Sequence, residues 1–511
     1  HNEIEKLLKS GQLLINYTGH GSTTHWADES VWTQTDINNS SYKHLPVWVT
    51  ATCDFTRFDD LNTSAGEDVF LNKSSGGIAL FTTVRVAYSR PNFPINDNVI
   101  RNLFERNNGR RRTLGEGMKA TKNTLSSVYK LGFCLIGDPA VKMAYPEFGM
   151  KVTTVNGQSV DGNSISFKAL EKITVEGEVL DVSGQLVTDF TGIVNPTVKD
   201  SKVTVTCLKN SNKDDSPAFT FTDYPNTIFI GNDSVRNGKF SFTFTVPKDI
   251  SYSNLQGKMN LYAVDTESGN EAQGNFDNFI VGGTSDTAET DTIGPEIRAL
   301  YLNDTTFVDG GQVNTTPYFV AELWDKSGVN ITGSSVGHDM MLVIDESTVL
   351  SYNLNSYYEL LPGEDGTGIV KFPIPALEPG KHTAEFWVWD ILNNSTVRTF
   401  TFEVVEGLKP FLFDVIATPG IAREQVTFHL MHNRPESRMR VGIMVYDLAG
   451  RQLWKHEESG TSGLFENYTV SWDLTSGGVR MRPGVYIYRA AISTDNSKDA
   501  TKARKFIILG E

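Results

Sequence analysis

Two short apolar runs near the start of the chain, each followed at once by a reactive side chain, constrain the fold most strongly. The runs Leu13–Tyr17 and Pro46–Thr52 are rich in Ile, Val, Leu and aromatic residues and contain no charged residue. This pattern is typical of strands buried on both faces of a parallel sheet. His20 follows the first run and Cys53 follows the second. Because sites in open α/β sheets lie at the carboxyl ends of the strands, we expect the two residues to lie side by side.

A thiol beside an imidazole can carry out acyl transfer. Cys53 is the candidate nucleophile and His20 the candidate base, since an imidazole takes up the proton of a thiol that is mostly protonated at neutral pH. The glycines on both sides of His20 allow a sharp turn and a close approach to a substrate. The amide groups of Gly21 and Cys53 are the candidate oxyanion donors. A lone Cys or His is more often structural, but here both stand at predicted strand ends.

A second histidine, His25, competes with His20 for the role of base. It lies in the same loop but has no flanking glycines and does not follow directly on a strand, so His20 is favoured. The group that orients His20 cannot be identified from the sequence. The substrate pocket cannot be identified from it either.

The chain changes character near residue 147. Residues 1–146 alternate strand and helix patterns, which indicates a mostly parallel sheet with helices on its faces. After the second run the expected elements are Ser64–Lys73, Ile78–Val84, Phe93–Arg106, Thr113–Val128 and Phe133–Ile136. Two of the helices begin with a capping-box spacing. Beyond this point alternating strands and Gly, Asn and Asp turns predict Ig-like β-sandwiches. We expect three of them, at 147–283, 284–407 and 408–511.

Charge and cysteine content exclude several classes of protein. The net charge is −15 and the only basic block is Arg110–Arg112, so nucleic acid is not an expected partner. Three cysteines make no disulfide framework, and no Cys/His spacing predicts a zinc site. Cys134 lies in an apolar run and is expected to be buried. No apolar run has the length of a membrane helix.

Two carboxylate turns raise the question of calcium. Asp325 and Asp390 each follow a strand of the predicted second sandwich. A hard-cation site needs several converging oxygens, so plain Asx-turns are the favoured interpretation and structural calcium is unsupported. No cofactor and no catalytic metal are expected.

The start of the chain suggests that more sequence precedes it. The first residue is His1 rather than Met, and an amphipathic helix pattern leads directly into a sheet strand. We therefore expect the C-terminal part of a longer polypeptide. A signal peptide and the early strands of the sheet would lie upstream.

The histidine and cysteine motifs resemble those of the gingipain family of clan CD cysteine peptidases, which have a caspase-like fold. Asn16–Ser22 followed by Trp26–Asp28 is similar to the gingipain histidine loop, and Leu135–Ala140 is similar to the closing strand and Gly-Asp-Pro turn. The resemblance covers roughly residues 10–145 and implies the C-terminal part of a gingipain-like α/β domain. The stretch Asp54–Asp60 departs from the small residue that tends to follow the family's cysteine, which leaves substrate specificity open.

The last predicted domain resembles the C-terminal sorting domain of type IX secretion cargo. The matching motifs are a strand that closes in Asp447–Arg451, a Trp472-Asp473 strand, and Gly484–Tyr488. An anonymous Ig-like module is the alternative, because alternating strands and glycine turns alone say no more. The resemblance implies export across the outer membrane of a Bacteroidota-type Gram-negative bacterium.

Together these resemblances imply a cell-surface sortase of the type IX system. Such an enzyme removes the C-terminal signal domain of cargo proteins and transfers the acyl group to an amine of anionic lipopolysaccharide. An outer-membrane barrel partner, PorV-like, would hold residues 408–511.

Two other functions stay open. The first is a secreted gingipain-like endopeptidase whose last domain is a signal to be removed. The short connection Val404–Pro410 follows directly on a strand and favours a retained domain instead. The second is a non-catalytic surface scaffold or adhesin, which the large β-rich part of the chain would suit but the presence of both His20 and Cys53 disfavours.

Overall fold

The computed structural model describes residues 2–107, 109–209, 217–286, 291–333, 337–361, 367–494 and 496–510. At residues 2 and 89–91 only the backbone is described. The chain divides into two units, residues 1–149 with 180–185 and residues 150–179 with 186–511. The division into four domains stays a prediction.

A four-stranded sheet organises the first unit. Its strands are β1 (Leu14–Thr18), β2 (Val47–Ala51), β3 (Ala79–Thr83) and β4 (Phe133–Ile136), in the order β1-β2-β3-β4. The first three are parallel and β4 is antiparallel to β3. Three parallel strands therefore put their carboxyl ends at one edge, together with the start of β4.

The strands of this sheet differ in burial. Every residue of β2 and β3 is buried, as predicted for the second apolar run. In β1, Asn16 and Thr18 are exposed and the other residues are only partly buried, so the prediction that the first run is buried on both faces is wrong. The physical reason is that β1 stands at the end of the strand order and pairs only with β2 among the described residues.

Helices cover both faces of the sheet. They are α1 (Asn2–Ser10), α2 (Gln34–Asn39), α3 (Ala65–Leu71), α4 (Ser89–Phe104) and α5 (Leu114–Thr124). Apolar residues of α4 and α5 share one core with β2 and β3, and those of α1, α2 and α3 share another with the opposite faces of the same strands. The predicted arrangement, strands with helices on both faces, is confirmed.

The capping boxes lie where they were predicted. The Glu67 carboxylate accepts from the Ser64 N–H at 2.8 Å, just before α3. The Glu116 carboxylate accepts from the Thr113 N–H at 2.9 Å, and the Thr113 hydroxyl accepts from the Glu116 N–H at 3.2 Å. Both helices thus begin at side chains that satisfy free backbone donors.

Several bounds differ from the expected ones. Helix α4 begins at Ser89 rather than Phe93. Pro91 is compatible with this earlier start, because it lies in the first turn, where the backbone N–H groups have no partner within the helix. Helix α5 ends at Thr124 rather than Val128, and a 3-10 helix over Val128–Gly132 leads into β4. The side chain of Cys134 is only partly buried, against expectation.

Short strand pairs complete the first unit. They are His25–Trp26 with Trp32–Thr33, and Arg106–Asn107 with Arg110–Arg111. The first pair closes the loop that contains His20.

The second unit is made of strands, as predicted for the residues beyond 147. Its first part contains a large sheet, whose strands are Phe148–Val155, Gln158–Ser159, Lys172–Leu180, Gly192–Lys199, Thr227–Ile230, Asp233–Arg236, Lys239–Thr245, Lys258–Asp265 and Glu271–Phe276. Smaller sheets comprise Ile165–Ala169, Leu255–Gln256 and Phe279–Thr284, and Val203–Thr206 with Thr220–Asp223. Buried and exposed residues alternate along Lys239–Thr245, the pattern expected of a half-buried strand.

Two sheets follow that share one core. One consists of Glu296–Leu302, Tyr318–Trp324, Tyr358–Leu360 and Thr367–Pro373, and the other of Gln312–Val313, Met341–Ile344, Ser351–Asn353, Gly380–Trp389 and Ser395–Val404. Phe319 and Phe386, one from each sheet, are fully buried with ring centroids 5.1 Å apart. The sheets therefore pack face to face.

The last hundred residues repeat this arrangement. One sheet holds Leu412–Thr418, Val426–His432 and Tyr468–Trp472, and the other holds Ile421–Ala422, Met439–Tyr446, Gln452–Gly460, Gly484–Ser493 and Ala500–Ile508. A short pair, Thr475–Ser476 with Val479–Arg480, lies beside them. Phe428 and Tyr488 join the two sheets in one core, with ring centroids 4.8 Å apart.

Candidate active site

The register of β1 against β2 brings the two candidate catalytic residues to the same edge. Thr18, the last residue of β1, pairs with Ala51, the last residue of β2, in parallel. His20 and Cys53 therefore each lie two residues beyond a paired position. The Gly19 N–H still donates to the Ala51 carbonyl at 3.3 Å, so the two chains stay together beyond the strands.

The loop that contains His20 packs directly on the chain before Cys53. A Cβ atom on Gly21 would lie 2.3 Å from the Thr52 hydroxyl oxygen and 3.0 Å from the His25 carbonyl oxygen. A Cβ on Gly19 would lie 2.5 Å from the Tyr17 hydroxyl oxygen. All three distances are shorter than van der Waals contact. The glycines flanking His20 are thus required by close packing within the protein, a reason that adds to the turn expected from the sequence.

Hydrogen bonds to the His20 backbone hold the loop in place. The His20 carbonyl accepts from the Tyr17 hydroxyl at 2.7 Å and from the Ala27 N–H at 2.8 Å. The Tyr17 ring stacks on Trp26 with centroids 4.6 Å apart. Burial raises the pKa of Tyr17, and the nearby Glu29 carboxylate adds to this, so the hydroxyl stays protonated and donates. The His20 side chain itself is exposed.

The competing histidine is held within its own loop. One ring nitrogen of His25, Nδ1, lies 3.0 Å from the Ser22 hydroxyl and 2.9 Å from the Thr24 hydroxyl. His25 also forms part of the short strand pair after the loop. Its position differs from that of His20, which directly follows the sheet edge. The assignment of His20 as the base stays a prediction.

The Cys53 thiol contacts the backbone of a segment that follows β3. Its sulfur donates to the Ala87 carbonyl at 3.2 Å and accepts from the Ala87 N–H at 3.4 Å. The Asp54 N–H donates to the Arg85 carbonyl at 3.3 Å. The chain after Cys53 therefore turns back and runs antiparallel to the segment after β3. Asp54, with φ of 52°, makes this turn in the left-handed region that Asp tolerates better than most residues.

The stretch after Cys53 is tied down by a buried ring and an ion pair. Phe55 is fully buried in the core against α3. The Asp59 carboxylate pairs with the Arg85 guanidinium at 2.6 Å, and this hydrogen bond lowers the pKa of Asp59. The residues that depart from the family pattern thus have structural partners in this chain.

Two asparagines of α4, which the sequence analysis missed, support the strand ends. The Asn92 amide donates to the Ala51 carbonyl at the end of β2, and the Asn96 amide donates to the Thr18 hydroxyl at the end of β1. Both asparagines are buried. Residues four apart lie on one helix face, but Asn92 lies before the helix predicted from Phe93, so this spacing was not available as a signal.

The two candidate oxyanion donors lie in the loops at this edge. In the described part of the chain, no backbone hydrogen bond of the loops uses the N–H of Gly21 or of Cys53. Both N–H groups are therefore available as hydrogen-bond donors. Their role stays a prediction.

A carboxylate cluster lies in the second unit. Oxygens of Asp291, Asp325 and Asp390 lie within 4.8 Å of one another. The Asp325 carboxylate accepts from the Ser327 and Gly328 N–H groups at 2.8 and 2.9 Å, the bonds of an Asx-turn. Burial raises the pKa of Asp325 to about 6, with the charges of the other two carboxylates adding to it. Asp291, which was not predicted, joins the two predicted turns of Asp325 and Asp390 in this cluster.

A family model matches most of the first unit. Residues 1–144 match the model of Peptidase family C25. The matched range contains both His20 and Cys53. The resemblance to gingipain-type cysteine peptidases is thereby confirmed. No curated protein sequence matches the chain significantly.

Two solved structures are similar to this chain. Dimeric latent PorU from Porphyromonas gingivalis is 37% identical over 80% of this chain and 39% of its own length, with a TM-score of 0.35. The Arg-specific cysteine proteinase gingipain R is 20% identical over 55% of each chain, with a TM-score of 0.27. The chain spans only 39% of the PorU structure. No helix in the described ranges is long and apolar enough to cross a membrane.

Proposed function

We propose that this chain, whose residues 1–144 belong to Peptidase family C25, is a cysteine endopeptidase in which Cys53 is the nucleophile and His20 the general base. One observation carries this proposal: the register Thr18–Ala51 places both residues two positions beyond the same paired strand ends. The packing of Gly21 on Thr52 supports it, because this contact holds the histidine loop against the chain that leads into Cys53.

The reaction follows from these positions. The Cys53 thiol gives its proton to His20 and the sulfur attacks the scissile carbonyl, whose oxygen becomes negative. The N–H groups of Gly21 and Cys53 donate to that oxygen. When the carbonyl re-forms, the C–N bond breaks and His20 returns the proton to the leaving amine. The remaining acyl group is bound to Cys53 as a thioester until a second nucleophile, water or an amine, attacks it.

The contact between Ala87 and the Cys53 sulfur adds a condition to the first proton transfer. A thiol that donates to the Ala87 carbonyl keeps its proton on the side of Ala87, so the S–H bond must rotate toward His20 before transfer. The Ala87 N–H can continue to donate to the sulfur after the proton has left. This donor would stabilise the thiolate.

We further propose that the acceptor is an amine and that the enzyme is a type IX sortase. Its substrates would be cargo proteins with C-terminal sorting domains, and its acceptor an amine of anionic lipopolysaccharide. The motif resemblance of residues 408–511 supports this. A retained C-terminal domain would attach the enzyme to an outer-membrane barrel partner, PorV-like, at the cell surface of a Bacteroidota-type bacterium.

The connection before the last domain supports retention. The guanidinium of Arg434, which is 1% exposed, donates to the Leu408 carbonyl at 3.0 Å and to the Asn433 carbonyl at 3.1 Å. A removable signal domain needs an extended, accessible connection for cleavage. Here a buried side chain of the domain holds the connection instead, which favours the sortase over the secreted endopeptidase.

The sorting-type motifs have structural roles within the domain. The Asp447 carboxylate accepts from the Arg451 N–H at 2.9 Å and pairs with its guanidinium at 3.1 Å, which closes the turn. Trp472 stacks on Trp454 with centroids 4.4 Å apart. The Tyr488 hydroxyl donates to the Val415 carbonyl at 3.0 Å. The motifs therefore support the fold of this domain, and the barrel partner stays a proposal.

The test uses full-length protein and a Cys53→Ala variant. Each is incubated with a cargo protein that carries a sorting domain and with a small amine, and the products are weighed by mass spectrometry. We expect an amine adduct at the new carboxyl end with the native protein and none with the variant. Cleavage by water alone would favour the endopeptidase. Equal products from both proteins would exclude Cys53 as nucleophile and leave the scaffold or adhesin function.

A further inference from the structure

We propose that Tyr88 and Tyr129, together with Val86, form an apolar subsite that binds an aromatic or aliphatic side chain of the polypeptide substrate next to the scissile bond. This inference rests on the proposed function and names the substrate class for it. No carboxylate belongs to the proposed subsite. It would therefore select apolar over basic side chains.

The subsite lies beside the nucleophile through the chain itself. Ala87 contacts the Cys53 sulfur through both its carbonyl and its N–H. Its two neighbours, Val86 and Tyr88, are 59% and 60% exposed. A substrate whose carbonyl lies at the sulfur therefore meets apolar side chains on both sides of Ala87.

Tyr129 comes to the same place from another element. Its ring contacts that of Tyr88 edge to face, with centroids 5.3 Å apart, and it is 44% exposed. The 3-10 helix that contains Tyr129 ends at Gly132, whose carbonyl accepts from the Val84 N–H at 2.8 Å. The helix is thus fixed to the same segment that contacts Cys53.

The position of the 3-10 helix is held from its other side as well. The Lys130 ammonium donates to the Lys122 carbonyl at 2.7 Å. The Ser127 hydroxyl accepts from the Tyr129 N–H at 3.3 Å. The Tyr88–Tyr129 pair is therefore formed before any substrate binds, which lowers the ordering cost of binding.

Two further apolar side chains near Tyr129 in the sequence are exposed. Val128 and Leu131 on the same 3-10 helix are 71% and 70% exposed. Apolar residues grouped on a surface mark binding sites more often than single exposed ones do. Tyr88, the neighbour of the residue that contacts the Cys53 sulfur, points to the substrate chain as the occupant.

A basic side chain is the competing occupant, and one carboxylate would favour it. Asp54 follows Cys53 directly, and its Oδ1 is buried without a hydrogen-bond partner in the described residues. Its carboxylate, however, also interacts with the positive charge of Arg85, which offsets its attraction for a second cation. We therefore expect Asp54 to contribute less to selection than the two tyrosines.

The test measures labelling of Cys53 in the full-length chain with peptidyl acyloxymethyl ketones. Four probes differ only in the residue next to the reactive carbonyl, which is Phe, Leu, Lys or Asp, and labelling rates are read by mass spectrometry. Iodoacetamide reports thiol reactivity without a peptide. We expect the Phe and Leu probes to react roughly tenfold faster than the Lys and Asp probes.

Variants assign this preference to the two rings. Tyr88→Ser and Tyr129→Ser should each slow the Phe probe roughly five- to tenfold and leave the iodoacetamide rate within about twofold. Ser is a favourable residue before a helix, so Tyr88→Ser should leave α4 intact. Phe104→Ser is the matched control, because Phe104 ends α4 and also pairs with a tyrosine, Tyr145, at 5.5 Å. It should change neither rate.

The remaining outcomes each overturn the inference in a distinguishable way. Faster reaction of the Lys probe would assign selection to Asp54. Equal slowing of iodoacetamide and peptide probes in the tyrosine variants would show an effect on the thiol rather than on binding. Unchanged preference in both variants would place the subsite elsewhere. Absence of Cys53 labelling by every reagent would remove the proposed function and this subsite with it.

Discussion

The two strands that precede the candidate catalytic residues are held in different ways. Every residue of β2 is buried, whereas Asn16 and Thr18 of β1 are exposed. In the described part of the chain β2 lies between two strands and β1 has only β2 as a neighbour. The nucleophile therefore follows a fully buried strand between two neighbours, and the base follows a partly buried strand with one neighbour.

This difference separates two kinds of substitution. Changes beneath the inner strands should act on stability and lower activity only through unfolding. Changes in the loop around His20 should act on the position of the imidazole and leave the fold in place. Four predictions, in order of decreasing effect, test this separation.

The largest effect is expected from removing a core side chain of an inner strand. Leu80 of β3 is fully buried and Leu14 of β1 only partly. Leu80→Ala should cost about 2–5 kcal/mol of stability because it leaves a cavity, and Leu14→Ala less than half of that. Urea unfolding, together with hydrogen exchange of the β2 amides, measures both. Equal losses would mean that β1 is as firmly held as the inner strands.

A methyl group on Gly21 should displace the histidine loop. The added Cβ would lie 2.3 Å from the Thr52 hydroxyl, so the loop must move. We expect kcat/KM for peptide cleavage to fall roughly a hundredfold, the typical effect of a misplacement of about 1 Å, with little change in Tm.

A second substitution provides the control for Gly21→Ala. The Thr52 hydroxyl has no hydrogen-bond partner among the described residues. Thr52→Ala alone should therefore leave kcat/KM for peptide cleavage nearly unchanged. Combined with Gly21→Ala it should restore part of the activity by removing the clash. Failure of this rescue would mean that Gly21 acts through its backbone rather than through close packing.

Substitution of the two asparagines of α4 compares how much the support of each strand end contributes to stability. Asn92 supports the buried end of β2 and Asn96 the exposed end of β1. Asn92→Ala should cost about 1–2 kcal/mol and Asn96→Ala less than about 1 kcal/mol, because an acceptor near solvent can bond to water instead. Thermal unfolding of the two variants shows which substitution loses more stability. A larger loss for Asn96→Ala would reverse the comparison.

The smallest effect is expected from Tyr17→Phe. The change removes the hydrogen bond to the His20 carbonyl and keeps the ring on Trp26. A loss of about 0.5–1.5 kcal/mol corresponds to a roughly two- to tenfold lower kcat/KM. Burial raises the pKa of Tyr17, so the native hydroxyl stays a donor beyond its usual titration range. The ratio of kcat/KM between the native protein and Tyr17→Phe should therefore be constant up to about pH 9. A ratio that changes near pH 7 would contradict this.

Local signals in the sequence predicted much of the fold. The capping boxes at Ser64 and Thr113 depend on residues three positions apart, and both occur as expected. The alternation of strands and helices up to residue 146 and its loss afterwards were also correct. Helix ends were less accurate, since α5 ends at Thr124, before the predicted Val128. The predicted burial of β1 on both faces was wrong, because apolar composition does not reveal how many neighbouring strands a strand has.

The sequence by itself determined which residue types stand at the strand ends, namely His20 between two glycines and Cys53 after a fully apolar run. It also determined the match of residues 1–144 to the model of Peptidase family C25. Only the tertiary structure decided what surrounds them. Ala87 meets the Cys53 sulfur from 34 residues away, and Asn96 meets Thr18 from 78 residues away. Such contacts depend on strand register and helix packing, which no local pattern of residues contains.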